Sequence, residues 1–524
     1  MVPRHGRADS VRAANLNFQP MTDVRRSYAW LILFLIAQAA LMTHRLDLLP
    51  MWNDELFTVR AAQSPLGAML DMVRGDVHPP LYFLLAHYWV RIAGGADVLL
   101  ELRLLSVVLT LLATVALDRL WLQNVSQRTR LWCLALWTFS ACLLLYSRMA
   151  RSYSLQVLGF VVVCWAAWRW SQEFASWKKL LIWAAALATL LYTHYVPGIA
   201  AWAGTNLLLW RSARERPGHL VAGNLIVLTA YLPWLMTLAS VLEAWRAKPG
   251  LLLIADNRIL EWGVKVAYWI FSFFFGEAIP VWMLPVTALL AIPVAWLAWM
   301  GLTIGTRAAR LWLFPAAATA LIGFAGVAGW VSYAFGPARL LFLLPLALLA
   351  IAAGAHRRPR SGLIIAGALL AANLVGIESY FQARDLLNIG YLAPMDRIAK
   401  DIAHGSSPAD TLVLVDGPNL SGTVLEYYLP GFSTRQIFTL QDAASALQEI
   451  ANPAIRHVWL LRNPRDVTPD HVLQQLETGL RKSWSGQLHP YMPFAAVHQA
   501  LMSAMNVRAS SDWMYAAWEF RKLN

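Results

Sequence analysis

The chain has 524 residues, of which 58% are hydrophobic and 14% charged, against about 25% charged in an ordinary soluble protein. With a mean hydropathy of +0.49, this excludes a disordered chain, a disulfide-stapled secreted domain and an ordinary soluble enzyme. A polytopic membrane protein remains, and the net charge of +13 and the 26 Trp residues have to be placed within it.

Residues 1–27 are polar and carry Arg4, Arg7, Arg12, Arg25 and Arg26. They lack the apolar core and cleavage site of a signal peptide and read as a cytoplasmic tail, with Met21 as an alternative start. Apolar runs of spanning length, roughly 20 residues, begin near 28, 100, 130, 152, 179, 198, 219, 280, 311, 337 and 361. Two shorter runs, 79–93 and 259–275, are interrupted by His87 and Arg91 in one and by Lys265 in the other. Basic clusters sit at Arg25-Arg26, Arg128/Arg130, Lys178-Lys179, Arg211/Arg214/Arg216, Arg307/Arg310 and Arg357/Arg358/Arg360. Lys and Arg mark cytoplasmic loops, so neighbouring clusters must be separated by even numbers of spans.

Eleven spans satisfy that rule if the two short runs lie as helices at the outer interface; thirteen spans would move several basic loops outside. The expected fold is an all-α polytopic membrane bundle over 28–381, N-terminus inside. Cys133, Cys142 and Cys164 all lie within apolar runs and form neither a disulfide framework nor a metal-type spacing. The first outer loop, 47–100, collects Asp47, Asp54, Glu55, Asp71, Asp76 and Asp97, with Glu101 just beyond. Much of the basic excess therefore orients the chain in its membrane, and nucleic acid is excluded as its explanation. From 382 to 524 the composition turns polar. Strand-like runs at 411–415 and 457–461, and helical patterns at 441–450 and 469–480, give a small outer α/β domain. Asp416 and Arg462, at the strand ends, read as turn chemistry.

The densest chemistry follows the first span, at Trp52-Asn53-Asp54-Glu55. Adjacent carboxylates at the mouth of a bundle are candidates for a general base. Neighbours on a helix point about 100° apart, so one of Asp54 and Glu55 faces any given substrate atom. The plainer reading is a helix start, capped by Asn53 or Asp54. His78-Pro79-Pro80-Leu81-Tyr82 sets two prolines before a short helix and holds His78 in the same loop; a lone histidine is more often structural. Tyr146-Ser147-Arg148-Met149-Ala150-Arg151-Ser152-Tyr153 puts two arginines in an outer turn, against the positive-inside trend. There their paired donors suit a phosphate, or else anchor the interface. Tyr192-Thr193-His194-Tyr195 and Gly336-Pro337-Ala338-Arg339 end on the same face. Together these segments supply what chemistry on an anionic lipid-linked substrate requires.

The order of these motifs, with Arg103-Leu104-Leu105-Ser106 opening the next span, resembles the GT-C membrane glycosyltransferases. Within them it is most similar to the bacterial branch related to protein O-mannosyltransferases, the lipid A aminoarabinose transferase and the galacturonosyl transferases of lipopolysaccharide core. The resemblance covers 28–345 and is strongest over 52–195. It implies an inverting transfer from a polyprenyl-phosphate sugar to an envelope lipid, glycan or protein hydroxyl, outside a bacterial inner membrane.

The family's acidic motif falls on Asp54 and Glu55, the first being the usual base. Its histidine before the double proline is His78, its outer arginine and tyrosine are Arg151 and Tyr153, and its later arginine is Arg339. Tyr82, Arg148, His194 and Tyr195, in the same outer segments, complete the expected substrate-binding set. Many relatives have Gln-Glu at Arg148-Met149 and Arg-Tyr at Arg339-Leu340, departures that bear on the donor sugar. No cofactor is required by the pattern, although a divalent ion is compatible with it. The alternative function is a transporter or flippase of a lipid-linked precursor, which needs the arginines but no base.

Overall fold

The computed structural model describes residues 24–76, 78–246, 258–303, 337–383, 385–416, 421–462, 469–491, 500 and 515–522. Helix α1 (Val24–Thr43) is followed by three short helices, α2 (Asn53–Gln63), α3 (Leu66–Arg74) and α4 (Leu81–Ala93). α4 begins directly after Pro79-Pro80 and stops at Gly94, whose φ of +108° supplies a left-handed C-cap. α5 (Val98–Ala116) runs on through a π-helical turn at Leu117–Trp121. α6 (Gln127–Thr138) and α7 (Ala141–Ser147) meet at a 52° bend. The bundle continues through α8 (Tyr153–Gln172), α9 (Trp177–Thr193), α10 (Tyr195–Ala213), α11 (Pro217–Arg246), α12 (Arg258–Phe275) and α13 (Leu284–Thr303). A single turn, α14 (Pro337–Leu340), leads into α15 (Leu344–Arg357) and α16 (Pro359–Phe381).

Local sequence explains several of these boundaries. Asp97, Ser126, Ser140 and Ser176 each accept from the backbone N–H three residues on, capping α5, α6, α7 and α9, each cap being worth about 1 kcal/mol. α13 and α15 cross so closely that a Cβ on Gly301 would lie 1.9 Å from the Ala350 carbonyl oxygen, and one on Gly354 2.0 Å from that of Leu297. Gly301 on α13, and Ala350 and Gly354 four apart on α15, permit that approach.

The protein is a multi-pass membrane bundle. Among the described residues, five helices are long and apolar enough to cross a bilayer: Val98–Asn124, Pro217–Thr237, Leu284–Leu302, Pro337–Arg357 and Pro359–Phe381. The bent pair α6–α7 makes a sixth, and the expected count of eleven is not shown. The apolar stretch Tyr28–Thr43 is shorter, and the run beginning near 311 lies outside the described residues. Leu225, Leu232, Leu289, Ile292 and Trp299 face outward, the surface that lipid covers.

Two of the basic loops, 128–130 and 357–360, meet in space. Arg128 donates to the Pro359 carbonyl at 3.1 Å and Arg357 to that of Met300 at 2.9 Å. Nearby, Arg130 holds the buried Asp118 through two bonds of 2.5 and 2.9 Å.

Beyond α16 the chain forms a mixed α/β domain. Its five strands are β1 (Thr411–Asp416), β2 (Ser433–Ile437), β3 (His457–Arg462), β4 (Trp484–Tyr491) and β5 (Tyr515–Lys522), in the order β2-β1-β3-β5-β4. β1 is parallel to both β2 and β3, and β5 is antiparallel to β3 and β4. The two apolar runs of the sequence are β1 and β3, which are central neighbours, while β2, β4 and β5 escaped the reading. Four helices accompany the sheet: α17 (Met395–Gly405), α18 (Ser421–Tyr428), α19 (Leu440–Ile450) and α20 (Asp470–Arg481). Alternate residues serve two cores. Val413, Val415, Trp459 and Ala517 join the core of the bundle, and Leu412, Leu414, Val458 and Phe520 join a second one with residues of α19 and α20. The Tyr428 phenol, at the end of α18, bonds the Met51 backbone and is pushed up to about 12, chiefly by burial.

Candidate active site

Asp54 and Glu55 occupy the first turn of α2, which starts behind Trp52 with no side-chain cap, so neither Asn53 nor Asp54 is the capping residue. The angular offset between neighbours separates the two carboxylates. Asp54 stays 42% exposed, whereas Glu55 is fully buried. Both Glu55 oxygens are engaged by Arg103, Nε at 2.9 Å and Nη2 at 2.7 Å, and Oε1 also accepts from the Ala150 N–H at 2.8 Å. Arg103 in turn donates to the carbonyls of Leu46, Leu49 and Pro50. The pair thus ties α2, α5, the end of α1 and the Arg148–Ser152 turn together, and leaves Asp54 as the accessible acid.

Arg151, only 5% exposed, lies under Asp54. Its Nη1 donates to the Asp54 carbonyl at 3.0 Å, and its Nη2 is 3.6 Å from Asp54 Oδ2 and 3.2 Å from His78 Nε2. Burial disfavours the guanidinium charge, but Asp54, with Tyr153, Asp76 and Tyr82 adding to it, raises the Arg151 pKa overall. The His78 ring stands edge-on to that of His194, 5.6 Å away. His194 is the N-cap of α10, its Nδ1 accepting from the Val196 N–H. Burial first, and then its neighbours His78, Arg339 and Arg151, hold its pKa well below the ordinary histidine value. Arg339 on α14 also acts electrostatically on Tyr153 and Tyr195. Residues from α2, the loop before α4, the α7–α8 turn, the α9–α10 turn and α14 therefore meet at one end of the bundle.

The remaining expected residues lie around this centre or turn away from it. Tyr82 is buried in α4. Arg148 points back at α1: Nη1 donates to the carbonyls of Leu41 and His44, Nη2 to that of Arg45, and the guanidinium lies over Tyr380 and Phe381. This is a C-terminal helix cap, and a cation favours that end of the dipole.

Three further residues lie at the site although the sequence did not nominate them for it. Asp76 bonds His78 Nδ1 at 2.6 Å. The buried Glu277 accepts from the Tyr146 hydroxyl. Tyr391 stands edge-on to both Trp52 and Tyr146, at ring distances of 5.1 and 6.4 Å. Asp76 was visible as an Asp-x-His spacing; Glu277 and Tyr391 are isolated residues far along the chain. Among the described residues no group of three His, Cys, Asp or Glu side chains is placed to hold a metal ion. Of the histidines here, His78 bonds Asp76 and Arg151, and His194 Nδ1 accepts from the Val196 N–H.

No protein-family model matches the chain, nor does any curated protein sequence at a significant level. Solved structures do. The chain is similar to ArnT from Cupriavidus metallidurans in the apo state, with a TM-score of 0.54 and 11% identity over 94% of this chain and 98% of that one. It is also similar to the archaeal oligosaccharyltransferase AglB from Archaeoglobus fulgidus in complex with an inhibitory peptide and a dolichol-phosphate. There the TM-score is 0.51 and the identity 11%, over 90% of this chain and 73% of that one. The fold is that of the GT-C membrane glycosyltransferases.

Proposed function

We propose that the protein is an inverting glycosyltransferase that moves a sugar from a polyprenyl-phosphate donor to an envelope hydroxyl at the outer face of a bacterial inner membrane. The observation that carries this reading is the exposed Asp54 carboxylate set directly against the buried Arg151 guanidinium, with Arg339 and two histidines beside them. A base next to an anion site is what a displacement at a sugar phosphate needs, and the fold is one in which such sites occur. AglB, which shares it, was solved with a dolichol-phosphate.

In this reading Asp54 takes the proton of the acceptor hydroxyl as its oxygen attacks the anomeric carbon. The bond from that carbon to the phosphate oxygen breaks, its electron pair leaving with the lipid phosphate. One displacement with one base inverts the anomeric centre, by the logic of inverting glycosidases. Arg151 and Arg339 are oriented before the charge develops on the leaving phosphate, so they stabilise it without reorganising. Tyr153, His194 and Tyr195 border the same space, and His194 is held neutral so that it adds no competing cation. Glu55 contributes by holding α2 in place.

Asp54→Asn tests the base. Arg339→Ala tests the phosphate site: the apparent affinity for the lipid donor should fall about tenfold or more, in line with loss of a charge-assisted bond, while the acceptor KM stays within twofold. An unchanged donor KM would remove Arg339 from that site.

The accompanying topology is a cytoplasmic tail over 1–27, a bundle of eleven spans over 28–381 with its catalytic loop at 47–100, and an outer domain over 382–524. The contact between the basic loops at Arg128 and Pro359 supports it. A compartment reporter fused after residue 390 should report the outside, and a cytoplasmic signal would invert the arrangement.

A further inference from the structure

We infer that Asp76 is a positioning residue of this site, acting through His78 to hold the Arg151 guanidinium against Asp54. Hydrogen-bond chemistry fixes the direction of the chain of contacts. Arginine has only donors, so Arg151 Nη2, 3.2 Å from His78 Nε2, requires a bare lone pair there. The imidazole proton must then sit on Nδ1, which lies 2.6 Å from Asp76 Oδ2. Asp76 accepts from Nδ1–H, Nε2 accepts from Arg151, and Nη2 of that same arginine faces Asp54 Oδ2 at 3.6 Å. A carboxylate that selects a histidine tautomer for the group on its other side is a common device of built sites.

The surrounding backbone is arranged for this. Gly75 N–H and Asp76 N–H bond the carbonyls of Asp71 and Val73 and close α3, which fixes Asp76. Pro79 and Pro80 lead straight into α4 and fix His78 from the other side. His78 and Asp76 are both mostly shielded, with side chains 17% and 20% exposed. Without the acceptor on Nδ1, the ring is free to adopt the other tautomer. Nε2–H would then point at the guanidinium, and Arg151 would lose the bond that keeps its Nη2 in place. The relay also assigns His78 as an acceptor for Arg151, which leaves Asp54 as the base of the reaction proposed above, on which this inference rests.

The test is a double-mutant cycle in the purified full-length protein, read as binding of undecaprenyl phosphate and as kcat and KM for a polyprenyl-phosphate sugar. Asp76→Ala and His78→Ala should each weaken undecaprenyl phosphate binding about tenfold, as loss of a hydrogen bond to a charged group does. The double variant should be no worse than the weaker single, because both substitutions cut one chain. Asp76→Asn should bind within about threefold of wild type, since an amide oxygen still accepts from Nδ1–H. If Asp76→Ala does not fold, Asp76→Ser, which keeps the turn polar but cannot reach the ring, takes its place in the cycle. Additive losses of about a hundredfold in the double variant, or an Asp76→Ala or Asp76→Ser variant that binds as wild type does, would overturn the relay alone. A wild-type protein that does not bind undecaprenyl phosphate would instead overturn the functional reading beneath it.

Discussion

An Asp54→Asn protein is expected to lose about 10²- to 10⁴-fold in kcat, the range for removing a general base, while its melting temperature stays at the wild-type value. The two halves of that expectation have separate causes. Asn keeps the shape of the side chain but cannot take the acceptor proton. The carboxylate is 42% exposed and its one ion pair is 3.6 Å long, so little stability is lost with it. The KM for the lipid donor should hold or fall, because Arg151 would face the incoming phosphate without a competing anion. Steady-state kinetics with purified protein and a defined lipid donor measure all three. Transfer at the wild-type rate would end the assignment of Asp54 as base.

Glu55→Gln should do the opposite. Its partner Arg103 is buried with it, and an amide leaves the guanidinium uncompensated in the interior. Breaking one half of a buried pair costs about 3–5 kcal/mol, a loss large enough to show as a fall in thermal stability and in yield of folded protein. A Glu55→Leu/Arg103→Leu double variant should recover part of it, since a packed apolar pair of that kind is often tolerated. The remainder would report the Leu46, Leu49 and Pro50 carbonyls that Arg103 also serves. If Glu55→Gln were as stable as wild type yet inactive, the base would have to be sought at Glu55 and not at Asp54.

The sequence distinguished these two carboxylates only in part. Helical geometry says that neighbours diverge, but which of the two turns inward depends on Arg103, 48 residues on. The candidate site was legible where chemistry is written as short motifs. Asp54, His78, Arg151 and His194 do converge, and Arg339 lies close enough to act on His194 and Tyr195. Arg148 was not legible. It lies three residues from Arg151 but in a turn where helical periodicity does not apply, and the break after Ser147 aims it at the carbonyls of α1. Glu277 and Tyr391 carry no local signal, because what makes them part of the site is a fold that brings α12 and the stretch after α16 beside α7.

In the C-terminal domain, the fully buried strand β1 is centred on an apolar run, 412–415, that any window finds. β2 is a sheet edge reading Ser-Thr-Arg-Gln-Ile, and β5 carries Glu519 among its buried residues, so neither has the expected pattern. The five helices long enough to cross a bilayer were legible as apolar length, which is the property a bilayer selects, while the count of eleven is not shown.

The joint between bundle and outer domain has one more implication. Composition puts the boundary at 381, but packing does not. Tyr391 is lodged against Trp52 and Tyr146, Leu387 N–H bonds the Glu277 carbonyl, and Tyr428 bonds the Met51 backbone. The C-terminal domain therefore packs against the candidate site and is not a passenger on the bundle. A chain cut at the compositional boundary would lose part of that packing, so exchanging C-terminal domains between such proteins would carry a piece of the candidate site along with them.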